Sequence, residues 1–207
     1  MLRMQMRPIA QGLEPLAEFV CVDAPSLAIG DFGWWHAVSN DHGGNPKSSG
    51  AVPSAMRYDG WSKTRDWLVS LFAQGAPFDG VFGFSQGATL TSLLVGLRNP
   101  RKAEAGLSFD FAIMVGGFAS RDGGHAELYR RKANYDLPSV HIIGESDIIV
   151  PSDRSDHLAS FFSDPLILRH PGGHVIPDDP VVRNGVAAFL QRRAHDADPE
   201  EHRRSRG

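Results

Sequence analysis

Five residues, Gly83-Phe84-Ser85-Gln86-Gly87, restrict this chain more than any other segment. An apolar run, Gly80-Val81-Phe82, leads directly into them. A leucine-rich stretch with Leu90, Leu93, Leu94 and Leu97 on one side leads directly out. A strand that becomes a helix within two residues has to fold back sharply, and side chains two positions either side of the serine would collide. Glycine at 83 and 87 removes those collisions and raises the Ser85 hydroxyl above the end of the sheet. The pentapeptide alone is a weak signal. The strand before it and the helix after it make it a candidate nucleophile elbow. Gln86, at the helix N-terminus, would then offer its backbone N–H to negative charge developing on an attacked carbonyl.

The rest of the chain alternates short apolar runs with amphipathic stretches. Leu2, Met6, Ile9, Leu13 and Leu16 recur at spacings of three or four, which predicts a helix over residues 2–17, interrupted or bent by Pro8. Residues 18–22 read as a first, buried strand that contains the single cysteine, Cys21, as a small core residue. Residues 26–58 are rich in Gly, Ser, Asn and Pro and read as a long lid or binding loop. Helices are predicted over 60–74, 152–162 and 179–193, and strands over 78–84, 109–115, 139–143 and 166–168. Strands separated by helices predict a mostly parallel sheet with helices on both faces, hence an α/β fold. Residues 1–193 form one domain in this reading, and the mixed-charge residues 194–207 form a disordered tail.

A serine at its ordinary pKa needs a base, and the base needs an acid to orient it. In the chain order Ser, Asp or Glu, His, two predicted loops at the carboxyl ends of strands qualify. One is Gly144-Glu145-Ser146-Asp147; the other is His170-Pro171-Gly172-Gly173-His174. Asp147 is favoured over Glu145 and over Asp153, which reads as a helix cap. His174 is favoured over His170 because the double glycine lets the backbone turn tightly ahead of it. His141 falls inside a strand and His157 on a helix. Trp34, Trp35 and Trp61, in or beside the long loop, are candidates for an acyl-binding wall, with loop packing as the competing reading.

Other chemistries find less support. His36, Asp41 and His42 lack any paired metal-ligand spacing, and residues 43–48 lack both the phosphate-loop pattern and a feeding strand. The formal net charge of −3, with both signs mixed along the chain, announces no nucleic-acid or membrane partner. No apolar run approaches a membrane span and no secretory h-region is visible, so a cytoplasmic protein is expected.

Taken together, the motifs resemble the FSH-type serine hydrolase family. The likeness rests on Val22-Asp23-Ala24-Pro25, Trp34-Trp35, Tyr58-Asp59-Gly60, the run from Pro77 to Ala88, Gly144-Glu145-Ser146-Asp147 with Val150-Pro151, and His170-Pro171-Gly172-Gly173-His174 with Ile176-Pro177. The resemblance implies an α/β-hydrolase fold, a small-molecule acyl ester or thioester substrate, no cofactor, no metal, and Ser85, Asp147 and His174 as the triad. A thioesterase acting on acyl carriers or acylated proteins is the nearest alternative. A non-catalytic binding protein on a hydrolase scaffold is the alternative of another class. One departure stands out: the family begins with an apolar strand and a His-Gly loop that supplies the second oxyanion N–H. This chain starts at the helix that follows them, so the reading lacks the first strand and the oxyanion loop. It predicts a working protein that extends upstream of Met1. It also predicts unpaired backbone groups along residues 78–83 or their neighbour.

Overall fold

The computed structural model describes residues 2–28, 31–39, 56–75, 77–98 and 107–197. Helix α1 (Leu2–Leu13) buries Met6, Ile9 and Leu13, the stripe that its sequence spacing predicts, and it accommodates Pro8 internally. It stops earlier than expected: the Leu16 and Ala17 N–H groups both turn back to the Leu13 carbonyl.

Residues 18–22 are not a strand, and Cys21 is only half-buried with Val20 exposed. A strand exists only where a neighbour takes up its N–H and C=O groups. None of the described strands forms a ladder with this segment; it is held by side chains instead. Phe19 packs edge-on to Phe82 and the Arg3 guanidinium donates to the Cys21 carbonyl.

The expected long loop carries structure of its own. Strands β1 (Ser26–Ala28) and β2 (Asp31–Phe32) pair antiparallel, as do β3 (His36–Ser39) and β4 (Met56–Asp59). Residues 40–55, including Asp41, His42 and the 43–48 glycine-rich stretch, lie outside the described residues.

From α2 (Trp61–Gln74) onward the predicted order holds, with one unexpected short α-helix added over residues 126–129. Strand β5 (Gly80–Phe84) feeds α3 (Gln86–Leu97), followed by β6 (Phe111–Val115), α4 (Ala126–Tyr129), β7 (Ser139–Gly144), α5 (Ser152–Ala159), β8 (Pro165–His170) and α6 (Pro180–Ala197). Strands β5, β6, β7 and β8 form one parallel sheet in that order. Alternation along β6 separates its two faces. Ala112 and Met114 pack with Leu68, Leu93, Leu94, Tyr135 and Leu158 under α2, α3 and α5. Ile113 and Val115 pack with α1 and α6 through Ile9, Leu13, Val182 and Val186. Helix α3 is buried all the way from Ala88 to Gly96. That is why it shows almost no amphipathic pattern.

Two boundary expectations meet the structure directly. Among the described residues β5 has a ladder on one side only, so the sheet ends on the serine-bearing strand. Helix α6 runs through Ala197, so the charged tail begins helically rather than disordered at 194. An Arg193–Asp196 ion pair one turn apart supports that end. No helix among the described residues is long and apolar enough to cross a membrane.

Candidate active site

Ser85 sits between β5 and α3 with φ 56° and ψ −119°, the one non-glycine residue at positive φ among those described. Such backbone strain costs on the order of 1–3 kcal/mol. It is held by the Ser85 N–H donating to the Val115 carbonyl (2.9 Å) and by the Ser85 carbonyl accepting from Ala88 and Thr89. The result turns the hydroxyl out of the sheet toward the loop after β8. There the His174 Nε2 lies 2.8 Å from Ser85 Oγ, and its Nδ1 lies 2.6 Å from Asp147 Oδ2.

Asp147 is placed by the turn after β7. Its Oδ1 accepts from the Ile149 and Val150 N–H groups at 2.9 and 2.8 Å, leaving Oδ2 for the imidazole. Burial pushes this carboxyl up, yet the Val150 N–H, the His174 ring and the Ile149 N–H outweigh it. The net effect holds Asp147 below the usual carboxylate value. The loops after β7 and β8 are tied by the Glu145 N–H to the His170 carbonyl and the Ser146 N–H to the Gly172 carbonyl. Acid and base therefore move as one piece. With Nδ1 donating to Asp147, Nε2 is the lone-pair nitrogen facing the serine, so the chain of bonds can take a proton from Ser85 Oγ.

Residues 1–185 match the family described as "Serine hydrolase (FSH1)". The chain belongs to the FSH1 serine hydrolase family. Its relatives include "Esterase OVCA2" of Xenopus tropicalis, 35% identical over 166 residues that cover 79% of this chain and 67% of that protein. Two solved structures share the fold. Esterase PE8 has a TM-score of 0.58 at 21% identity, covering 92% of this chain and 86% of that one. Zea mays acyl-protein thioesterase 2 has a TM-score of 0.54 at 18% identity, covering 82% and 80%. The FSH1 member described here thus has the α/β-hydrolase fold and belongs with hydrolases.

The other histidines and acids of this FSH1 chain do not join the line. The His170 ring is buried against Gly144 and Gly172, and burial pushes its pKa down against the pull of Asp179, Asp147 and Glu145. His141 is buried in β7 beside Phe162. Asp153 lies in the first turn of α5, but Pro151 is the residue at the cap position and no side chain bonds there.

A cavity of about 290 Å³ adjoins Ser85 and Gln86. Of the three tryptophans proposed as its wall, Trp35 lines it, stacked on Tyr58 at 4.6 Å. Trp61 stands behind, edge-on to Trp35 and His125. Trp34 packs toward Trp67 and does not line the cavity. Sequence reasoning missed two contributors. The Gln86 side chain accepts from the Trp34 N–H (3.1 Å) and donates to the Trp35 carbonyl (3.0 Å), a contact between residues about fifty positions apart that has no local signal. Gly116, at φ +53°, lies beneath the base: a Cβ there would stand 3.1 Å from the His174 ring. The signal available for it was a Gly116-Gly117 pair at the end of a predicted strand.

Proposed function

We propose that this protein hydrolyses small-molecule carboxylic esters or thioesters through Ser85, His174 and Asp147 by way of an acyl-enzyme. The observation that carries the reading is the continuous hydrogen-bonded line from Asp147 Oδ2 through both imidazole nitrogens to Ser85 Oγ. His174 Nε2 takes the hydroxyl proton as Ser85 Oγ attacks the acyl carbonyl. Asp147 stabilises the imidazolium that forms. The Gln86 N–H, in the first turn of α3, has no helical carbonyl four residues behind it and is the assigned donor to the oxyanion. The imidazolium proton then goes to the departing alkoxide or thiolate. Water, deprotonated by the same imidazole, attacks the acyl-enzyme, releases the carboxylic acid and returns the proton to Ser85.

Oxygen and sulfur esters share this acyl-enzyme, and the fold likeness to both an esterase and an acyl-protein thioesterase fits either. Matched oxygen and sulfur esters of one acyl group separate the two by their kcat/KM. The decisive experiment is Ser85→Ala tested with a p-nitrophenyl acyl ester and a fluorophosphonate probe. Wild type is expected to show a burst and label; the variant should do neither. A wild-type protein that never labels would instead mark a binding protein on a hydrolase scaffold.

A further inference from the structure

We infer that Asp122 is a positioning residue: it sets the width of the cavity beside Ser85, and with it the size of acyl group that the protein accepts. This rests on the hydrolase reading above and names what governs substrate choice at that site.

The cavity has two walls of different origin. One belongs to the parallel sheet: Ser85 and Gln86 at the elbow, Phe118 after β6, and Ile149 and Val150 after β7. The other is Trp35 with the β3–β4 ribbon that follows it, which contributes Ala37, Met56 and Tyr58. Among the described residues the ribbon shares no ladder with the four-stranded sheet. Loop contacts, not strand pairing, therefore set its distance from Ser85. The Gln86 amide fixes the Trp34–Trp35 end. The turn around 121–124 fixes the β4 end. The Met56 N–H donates to the Arg121 carbonyl (3.1 Å), the Arg121 N–H donates to the Tyr58 hydroxyl (3.0 Å), and an isolated parallel bridge joins Met56 to Asp122.

Asp122 ties this turn to the wall with its side chain. One carboxylate oxygen accepts from the Tyr58 N–H at 2.8 Å and the other from the Gly124 N–H at 2.9 Å. Its own N–H donates to Ser120 Oγ (3.2 Å), which also meets His125 Nδ1 at 2.8 Å. The buried His125 ring in turn stands edge-on to Tyr58 and Trp61, backing the Trp35–Tyr58 stack. Asp122 is half-buried and does not line the cavity, so it acts on a substrate only through the wall it holds. Hydrogen bonds to an ionised acceptor are about twice as strong as neutral ones, so a carboxylate at 122 grips β4 more firmly than an uncharged side chain does. An acetyl group ends close to the serine it acylates. A longer acyl group reaches the ribbon and registers where it stands.

The test compares p-nitrophenyl acetate with p-nitrophenyl hexanoate on the full chain, with Tm measured beside them. Wild type should favour hexanoate in kcat/KM by about 16-fold, roughly twofold for each of four half-buried methylenes. Asp122→Ala should cut that preference to about twofold, with KM for hexanoate moving more than kcat. Asp122→Asn keeps one acceptor oxygen and should restore the preference to about fivefold. Tyr58→Phe removes the acceptor of the Arg121 N–H and keeps the ring. Combined with Asp122→Ala, its loss should fall short of the product of the two single losses by about threefold, because both act on one tether. A full wild-type preference in Asp122→Ala would overturn the inference while leaving the hydrolase reading intact. So would a loss that falls on kcat equally for both esters, or a wild type indifferent to acyl length. Should Asp122→Ala not fold, a wild-type preference in Asp122→Asn overturns it instead. A wild-type protein that hydrolyses neither ester would count against the hydrolase reading itself.

Discussion

Replacing Gly83 by alanine tests the elbow at its tightest point. A Cβ at position 83 would stand 2.2 Å from the Gly87 carbonyl oxygen, 2.5 Å from its carbon and 2.5 Å from Thr91 Oγ1. Comfortable non-bonded contact needs about 3.5 Å, so the end of β5 and the first turn of α3 must part by roughly 1 Å. No rotamer relieves this, because two of the three atoms are main chain and Thr91 Oγ1 is itself bonded to the Gly87 carbonyl at 2.9 Å. Forced overpacking costs about 1–3 kcal/mol, and a 1 Å misplacement of a reacting group costs about 10²-fold in rate. Gly87, the other glycine of the motif, behaves differently. A Cβ there meets only Trp34 Nε1, at 3.7 Å, an ordinary contact. Gly87→Ala also gains up to about 1 kcal/mol of helix propensity. The assay is the second-order rate of fluorophosphonate labelling, with Tm measured beside it. Gly83→Ala should label about 100-fold more slowly with a Tm lower by roughly 3–10 °C. Gly87→Ala should label within about threefold of wild type with an undiminished Tm. Wild-type labelling by Gly83→Ala, or equal damage from both changes, would refute the steric account.

Asp147→Asn should lower kcat by about 10⁴-fold with little change in Tm. The Asn Oδ1 keeps the Ile149 and Val150 N–H bonds, so its NH₂ faces His174 Nδ1 and moves the ring proton to the nitrogen that must accept from Ser85. Activity within tenfold of wild type would reject that tautomer argument. His141 predicts an acid-sensitive stability. Burial pushes its pKa down to about 3, below the unfolded value of about 6.5. Because the unfolded chain takes the proton first, stability falls as pH drops through about 6.5 and levels off near pH 3. Between pH 7 and pH 5 this single group should cost about 2 kcal/mol, read by urea unfolding at each pH. His141→Leu should show a pH 7-to-5 loss smaller by that amount, and an identical loss in both proteins would contradict the assignment.

The sheet and the three-residue line were legible because their signals are local. The runs of β5, β7 and β8 end in turn residues, and Ser85, Asp147 and His174 each fall after such an end. The misreadings come from the opposite situation. Residues 18–22 have strand composition, yet a ladder depends on a neighbour that composition does not supply. The two glycines of the elbow look equivalent in the motif, but only the one facing the returning main chain of α3 is sterically required. The paired strands β3 and β4 lie on either side of a long stretch of Gly, Ser and Asn whose composition hides them.

Gln86 joins two jobs in one residue. Its main-chain N–H stands next to the nucleophile, while its amide clasps the Trp34 N–H and the Trp35 carbonyl. Any shift of the tryptophan segment is therefore transmitted to the proposed oxyanion donor, with no flexible link between them to absorb it. Exchange of residues 34–35 will accordingly be felt in turnover as well as in selectivity. The cleft and the reacting centre form a single rigid part, and they have to be tuned together.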